Sequence, residues 1–382
     1  MIVCAPHLGL REGSDLGGEV SERALLTRLA AMGDTIRLLM PPEADAGPLA
    51  PNWQLERWRR RRARRWWRSN AAAAQALCAS HRRQPFDLLH VHSPLHFGRG
   101  ALAARRRLRA RFPVVMHHHH LKGNALERSL ERAACAASDC VIVPSRFSAA
   151  ALAAAGGTPA GGASVIPRGV DPPPRSTARG TPACGDDHRH QEAAGRRVLL
   201  SVGRLVRRKN PLLLVDAFAR VERALPGRAM LRFIGDGPLA GCVRRRARAL
   251  GVERWVELRG RLPAQHKWRE LSACAVFLTA SDLEGFGLAV AEAMTAGSAV
   301  VAPRACAFPE IIDDGVDGML VPPLDAEATA QAVMALLGDP SRARALGDSA
   351  CRRAVSQFSW DASARRLRDL YLDLSEGCRR HA

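Results

Sequence analysis

The chain has 382 residues, 47% of them apolar, with a formal net charge of +20 and ten cysteines. That length holds two domains of ordinary size with sizeable cores. It shows no run of about eighteen apolar residues to span a bilayer and no long apolar run behind a basic start, which sets aside membrane-spanning and secreted readings and leaves a cytoplasmic protein as the expectation.

The charge is almost entirely arginine, since only Lys122, Lys209 and Lys267 are lysines. With abundant alanine, this is the skew of a GC-rich genome, so half the charge is discounted as a functional signal. What remains predicts attraction to anions: nucleotides, anionic lipid surfaces or acidic glycans. The cysteines form no C-x-x-C pair and no compact cluster. Cys4, Cys140 and Cys274 beside apolar runs read as small buried hydrophobes in a reducing compartment.

In chain order, Met1 to Pro6 reads as a strand, followed by a loop from His7 to Gly18. Val20, Ala24, Leu25 and Leu29 give Glu19 to Met32 helical spacing, and Thr35 to Met40 is a second strand. The stretch from Asn52 to Asn70 interleaves arginines with Trp53, Trp58, Trp66 and Trp67. Three readings stay open for it. Indoles at an apolar–polar boundary and arginines toward phosphate make residues 53–68 a candidate contact with an anionic membrane. The same composition stacks on single-stranded nucleic acid, and it also describes a solvated arginine helix with its tryptophans tucked inward.

Strands and helices then alternate: strand Asp87 to Val91, helix from Gly100, strand Val114 to Met116, helix Ala125 to Ala137, strand Cys140 to Val143, helix Phe147 to Ala155, strand Ser164 to Ile166. This alternation predicts a parallel, doubly wound sheet with its ligand site at the strand C-termini. Within it, MHHHHLKGN (Met116 to Asn124) holds four successive histidines. Neighbours in one run cannot all face a single ion, and no other Cys/His pair sits at ligand spacing, so no metal is expected. Pro172 to Arg196, rich in proline, glycine and charge without periodicity, reads as a linker.

A second sheet begins in the next segment, with strand Val198 to Val202 running into Gly203-Arg204 and on to Lys209. Leu231 to Ile234 ends in Gly235-Asp236-Gly237-Pro238, and Val256 to Leu258 leads to Arg259-Gly260-Arg261-Leu262. The apolar strand Ala275 to Ser281 runs into a glycine turn and an alanine-rich helix, SDLEGFGLAVAEAM (Ser281 to Met294). That plan aims free backbone N–H groups and the positive end of a helix dipole at whatever sits above the turn. Gly285 and Gly287 let the backbone come close, and two acceptor-only carboxylates, Glu284 and Glu292, can each hold a pair of sugar hydroxyls. A final helix begins at Phe358-Ser359-Trp360.

These motifs together resemble glycosyltransferase family 4, retaining enzymes of the GT-B fold. Glu284 and Glu292 match its E-x7-E signature, Gly203-Arg204 with Lys209 its VGRL-x-x-x-K motif, and VIPRGVD (Val165 to Asp171) its VIPNGVD segment, with Arg168 for asparagine. Gly17-Gly18 resemble its glycine-rich loop facing the donor phosphate, and His90 to Ser93 a common family motif. Aligning Pro113-Val114-Val115 with PVVxTxH lands on His119 as the histidine of the reaction centre, with His118 one residue out of register as its rival. The family's Gly-Gly pair before Pro309-Glu310 is Cys306-Ala307 here.

The resemblance implies two Rossmann-like, doubly wound domains across an interdomain cleft: 1–171 on the acceptor side, with helix 358–382 crossing back to it; linker 172–196; and nucleotide-sugar domain 197–357. It implies transfer of a hexose from a UDP- or GDP-sugar to a glycan, lipid-linked or small-molecule acceptor, without a cofactor, a metal or nucleic acid. Arg204 and Lys209 would neutralise the departing diphosphate, Glu292 would hold the ribose and Glu284 the hexose. Phe286 and Gly287 would present backbone N–H groups, the segment with Arg261 and Leu262 would meet the base, and Gly235 and Leu288 would complete the donor site. A catalytically silent nucleotide-sugar or polyanion binder, and a nucleotide-sugar epimerase, are the alternatives.

Overall fold

The computed structural model describes residues 1–8, 10, 17–58, 66–118, 124–171, 192–193 and 196–380. The chain divides into two units, Met1–Gly169 with Trp360–Ala382, and Val170–Ser359.

Unit 1 runs β1 (Ile2–Pro6), α1 (Gly17–Ala31), β2 (Thr35–Met40), β3 (Trp53–Arg57), α2 (Trp66–Arg83), β4 (Leu88–Val91), α3 (Arg99–Leu108), β5 (Val114–His117), α4 (Ala125–Ala136), β6 (Cys140–Val143), α5 (Arg146–Ala154) and β7 (Ala163–Val165). Its strands pair in parallel in the order β3-β2-β1-β4-β5-β6-β7. The order reverses between β1 and β4, the switch point where such sheets place their ligands. Side chains alternate across the sheet: Val3 and Ala5 enter one apolar layer and Cys4 the other. Helix starts follow local chemistry. Asn124 accepts from the Glu127 N–H at 2.9 Å while the Glu127 carboxylate takes the Asn124 N–H at 3.1 Å, a reciprocal box that opens α4.

The arginine–tryptophan stretch follows its third reading in the inward tryptophans but not in the helix. Trp53–Arg57 is an edge strand on β2, not surface helix, and Trp53 and Trp58 are buried. Those two indoles pack into the core of unit 1 and are not available to a bilayer or a base. Residues 59–65 lie outside the described residues.

Unit 2 runs β8 (Glu192–Ala193), β9 (Arg196–Val202), α6 (Pro211–Ala224), β10 (Ala229–Ile234), α7 (Ala240–Ala249), β11 (Val256–Leu258), α8 (Ala264–Ala273), β12 (Val276–Leu278), α9 (Leu288–Thr295), β13 (Val300–Pro303), α10 (Phe308–Ile311), β14 (Met319–Val321), α11 (Ala326–Gly338) and α12 (Pro340–Gln357). Six strands pair in parallel in the order β11-β10-β9-β12-β13-β14, and the short β8 lies antiparallel on β9. Leu199 and Leu200 again face opposite apolar layers.

The last helix, α13 (Trp360–Arg380), belongs to unit 1. Trp360, Ala364, Leu367 and Tyr371 form its apolar stripe, all buried in the layer with Val3 and Leu26. Around the stripe, Ser363 Oγ donates to Pro167 O at 2.7 Å, Arg368 Nε to Asp34 Oδ2 at 3.0 Å, and Arg28 Nε to Asp361 Oδ1 at 2.7 Å.

Candidate active site

The loops that leave β9, β10, β11 and β12 are knit together at the carboxyl ends of the unit 2 strands. Gly203 follows β9 with φ +152°, and Gly235 follows β10 with φ +127°. A Cβ on Gly235 would lie 2.1 Å from the Gly203 carbonyl, so only glycine lets these turns touch. The Gly235 N–H donates to Gly260 O at 2.7 Å, and Leu205 N–H to Asp236 O at 3.0 Å. Arg261 is exposed and Leu262 half-buried just beyond, on the loop after β11.

Glu284 stands on the loop after β12. Lys209, at the end of a short 3-10 turn (Arg207–Lys209), places its Nζ against Glu284 Oε1. Arg208 Nη1 reaches the same oxygen at 3.3 Å and Leu283 O at 3.1 Å. Asn210, itself left-handed at φ +45°, donates to Ala280 O at 3.0 Å and locks that turn to β12. Glu292, on α9, is held by Lys267 Nζ at 2.7 Å. All four of these lysine and glutamate side chains are mostly buried: 21% and 14% exposed for Lys209 and Glu284, 22% and 15% for Lys267 and Glu292.

Gly287 caps α9 at φ +98° with no side-chain acceptor for the helix amides. The first-turn N–H groups therefore point outward from the helix end, where the dipole favours negative charge. Gly285 is half-buried before the cap, and Leu288 begins the helix. Phe286 is a core residue, stacked edge-on against Phe358 at 5.6 Å, so its ring anchors the turn. Cys306, where the family has glycine, adopts φ +55° and donates its thiol to Asp282 O at 3.1 Å. Arg204 is exposed, with no ion pair among the described residues.

Unit 1 carries a histidine cluster. Gly17 and Gly18 open α1, which presents the fully buried Glu22 one turn on. His90 Nε2, His92 Nδ1 and His117 Nδ1 approach the Glu22 carboxylate at 2.7, 3.0 and 3.3 Å. Burial pushes this carboxyl up, but the charges of His90 and His92 and the hydrogen bond from His117 outweigh it and hold Glu22 well below the usual range. Burial likewise lowers His117 to about 4, against the upward pull of Glu22. His118 is buried too, with Nδ1 3.2 Å from Glu131 Oε1. His119 lies outside the described residues.

The structure thus brings together Gly203, Lys209, Gly235, Glu284, Gly285, Phe286, Gly287, Leu288 and Glu292 on one side of unit 2. Sequence reasoning missed Arg208 and Lys267. The rarity of lysine was a usable signal for the second, because two of the chain's three lysines hold the two signature glutamates.

Residues 17–173 match the family model described as Glycosyltransferase Family 4, and residues 186–353 match that described as Glycosyl transferases group 1. A curated relative, the GDP-mannose-dependent alpha-(1-6)-phosphatidylinositol monomannoside mannosyltransferase of Mycolicibacterium smegmatis, is 34% identical over 278 residues, covering 69% of this chain and 71% of that protein. Among solved structures, sucrose-phosphate synthase from Thermosynechococcus elongatus superposes with a TM-score of 0.78 at 22% identity, covering 98% of this chain and 99% of that one. Anabaena HepE in complex with UDP and glucose gives a TM-score of 0.74 at 18% identity, over 98% and 100%. At such identities the structural likeness speaks for the GT-B fold alone.

Proposed function

The chain belongs to glycosyltransferase family 4, the group 1 enzymes of GT-B fold, and we propose that it moves a hexose from a nucleoside-diphosphate sugar to an acceptor hydroxyl with retention of anomeric configuration. The observation that carries this reading is the arrangement of the two signature glutamates, each held by a lysine, beside the uncapped amino end of α9.

A departing diphosphate gains negative charge as the glycosidic bond breaks, and fixed cations stabilise that charge. Lys209 takes this role together with Arg204, whose guanidinium stands exposed nearby on the loop after β9. Glu284 keeps the Lys209 ammonium in place until phosphate oxygens compete for it, and then turns its carboxylate to the hexose hydroxyls. Glu292 holds the ribose hydroxyls. The N–H groups of Gly287 and Leu288 meet the phosphate at the helix end, and Gly203, Gly235, Arg261 and Leu262 line the side where the base rests. With cations and a helix end in place, the diphosphate needs no divalent ion, so added magnesium or manganese leaves the rate unchanged. His119 is assigned to the reaction centre, and Gly17-Gly18 to the donor phosphate, by motif position alone.

GDP-mannose is the first donor to test, because the mannosyltransferase relative uses it by name; UDP-glucose is the second. A lipid-linked acceptor would bring the protein to the cytoplasmic face of an anionic membrane. The net charge of +20 and the arginines of residues 59–65 support such a contact, now without Trp53 and Trp58. Vesicles with anionic lipid should sediment the protein and neutral vesicles should not. Among the described residues, no helix is long and apolar enough to cross a membrane.

The experiment is incubation with GDP-mannose and an acceptor panel, followed by NMR of the product anomeric proton. An α-linked product from the α-linked donor supports the reading. An inverted product, an epimerised donor, or binding without turnover on any acceptor contradicts it.

A further inference from the structure

The transfer chemistry uses neither Glu22, nor His90, nor His117. Yet α1, β4 and β5 bring these three to one buried point in unit 1, each offering one ligand atom, all within 4.8 Å of one another. We propose that Glu22, His90 and His117 form a binding site for a divalent transition-metal ion of the zinc class.

The donor set is the first reason. Two imidazole nitrogens and one carboxylate oxygen make a combination that zinc and its neighbours favour over magnesium or calcium. The local geometry is the second. Glu22 Oε1 and His90 Nε2 lie 2.7 Å apart, both buried, and neither has a partner other than the opposite atom among the described residues.

The surroundings are the third reason. Tyr371 OH, from α13, sits against His90 Nδ1 and leaves Nε2 as the ligating atom, the outer-shell support that metal-bound imidazoles have. His92 Nδ1, 3.0 Å from Glu22 Oε2, stands beside the group on its more open side. An ion about 2.0–2.2 Å from each ligand in tetrahedral geometry sets the ligand atoms about 3.3–3.6 Å apart, so loading would draw in a pair near the 4.8 Å limit by about 1 Å and open the 2.7 Å Glu22–His90 pair. The ion would tie α1 to two neighbouring strands and, through Tyr371, to α13. The four-histidine run contributes only its first member. Sequence spacing could not show the site, because its other two ligands come from elements far away in the chain.

The test uses the full chain purified without a polyhistidine tag, dialysed against chelator and reloaded with Zn²⁺ or Co²⁺. Wild type should hold one ion per chain and give a visible Co²⁺ spectrum. Glu22→Gln should abolish stoichiometric binding, and Tyr371→Phe should weaken it about 10–100-fold. His117→Cys keeps a ligand in place and should add a thiolate-to-cobalt charge-transfer band, a signal that a merely structural role or a folding defect does not produce. The double variant His119→Ala/His120→Ala should keep the ion. The proposal is overturned if wild type takes up less than one ion, if Glu22→Gln binds as well as wild type, if His117→Cys shows no such band, or if the 119/120 variant alone loses the ion. Donor binding by unit 2, titrated on the same preparation, reports separately on the transferase reading.

Discussion

Lysine in this chain is so scarce that each one carries information. Arginine serves everywhere a solvated positive charge is wanted, whereas Lys209 and Lys267 sit on glutamates beside the end of α9. A compact ammonium can slide from a carboxylate to a phosphate oxygen without rearranging a planar fork. Lys209→Ala should therefore lower kcat/KM by about 10²–10³, or roughly 3–4 kcal/mol of transition-state stabilisation, and Lys209→Arg should restore little of it. Steady-state rates with the true donor check this; turnover equal to wild type would refute the assigned role. Glu284, Glu292 and Lys209 were legible in the sequence because each sits at a fixed offset from glycines that shape a turn. Lys267 and Arg208 were not, since they reach their glutamates from α8 and from the 3-10 turn after β9, which only the fold brings beside them.

At the scale of single elements, α9 is positioned by a glycine that tolerates no replacement. Gly287 has φ +98°, and a Cβ there would lie 2.8 Å from Phe308 Cε1. Gly287→Ala should cost about 1–3 kcal/mol in urea unfolding and weaken donor binding with it. A variant as stable as wild type would show that the turn adapts. The neighbouring β13–β14 pair has a pH dependence of its own. Partial burial pushes the Asp314 carboxyl up, but the Leu320 N–H and the Arg304 guanidinium outweigh it and hold Asp314 below its ordinary 3.8. A folded value below the unfolded one means that Asp314 contributes stability above the ordinary range and loses it as pH falls through the folded value. The stability gap between wild type and Asp314→Asn should be constant near neutral pH and shrink below about 3.8; a gap that widened in acid would contradict the sign. Element reading failed most clearly at β3. There five residues of edge strand were hidden by arginine-rich composition, although Trp53 is buried and Gln54 exposed, the alternation of a strand.

For the molecule as a whole, alternation of apolar runs with helical spacing was enough to predict parallel, doubly wound sheets, because a parallel strand needs a helical crossover to return. What alternation does not carry is which distant elements meet. The Glu22–His117 contact spans 95 positions, and the Tyr371–His90 contact 281. Both exist because β4 and β5 lie side by side near the switch point and α13 returns to unit 1. The central claim remains local to unit 2: that the loops at its strand ends hold a nucleoside-diphosphate sugar, Lys209 at the phosphates and the two glutamates at the sugar hydroxyls. The most direct measurement is thermal denaturation of wild type and Lys209→Ala with GDP-, UDP- and ADP-sugars, since a ligand that prefers the folded state raises the melting temperature. The account predicts a rise of several degrees with one of these donors, GDP-mannose first, much reduced in the variant. No rise with any of them, or an equal rise in both proteins, would contradict it.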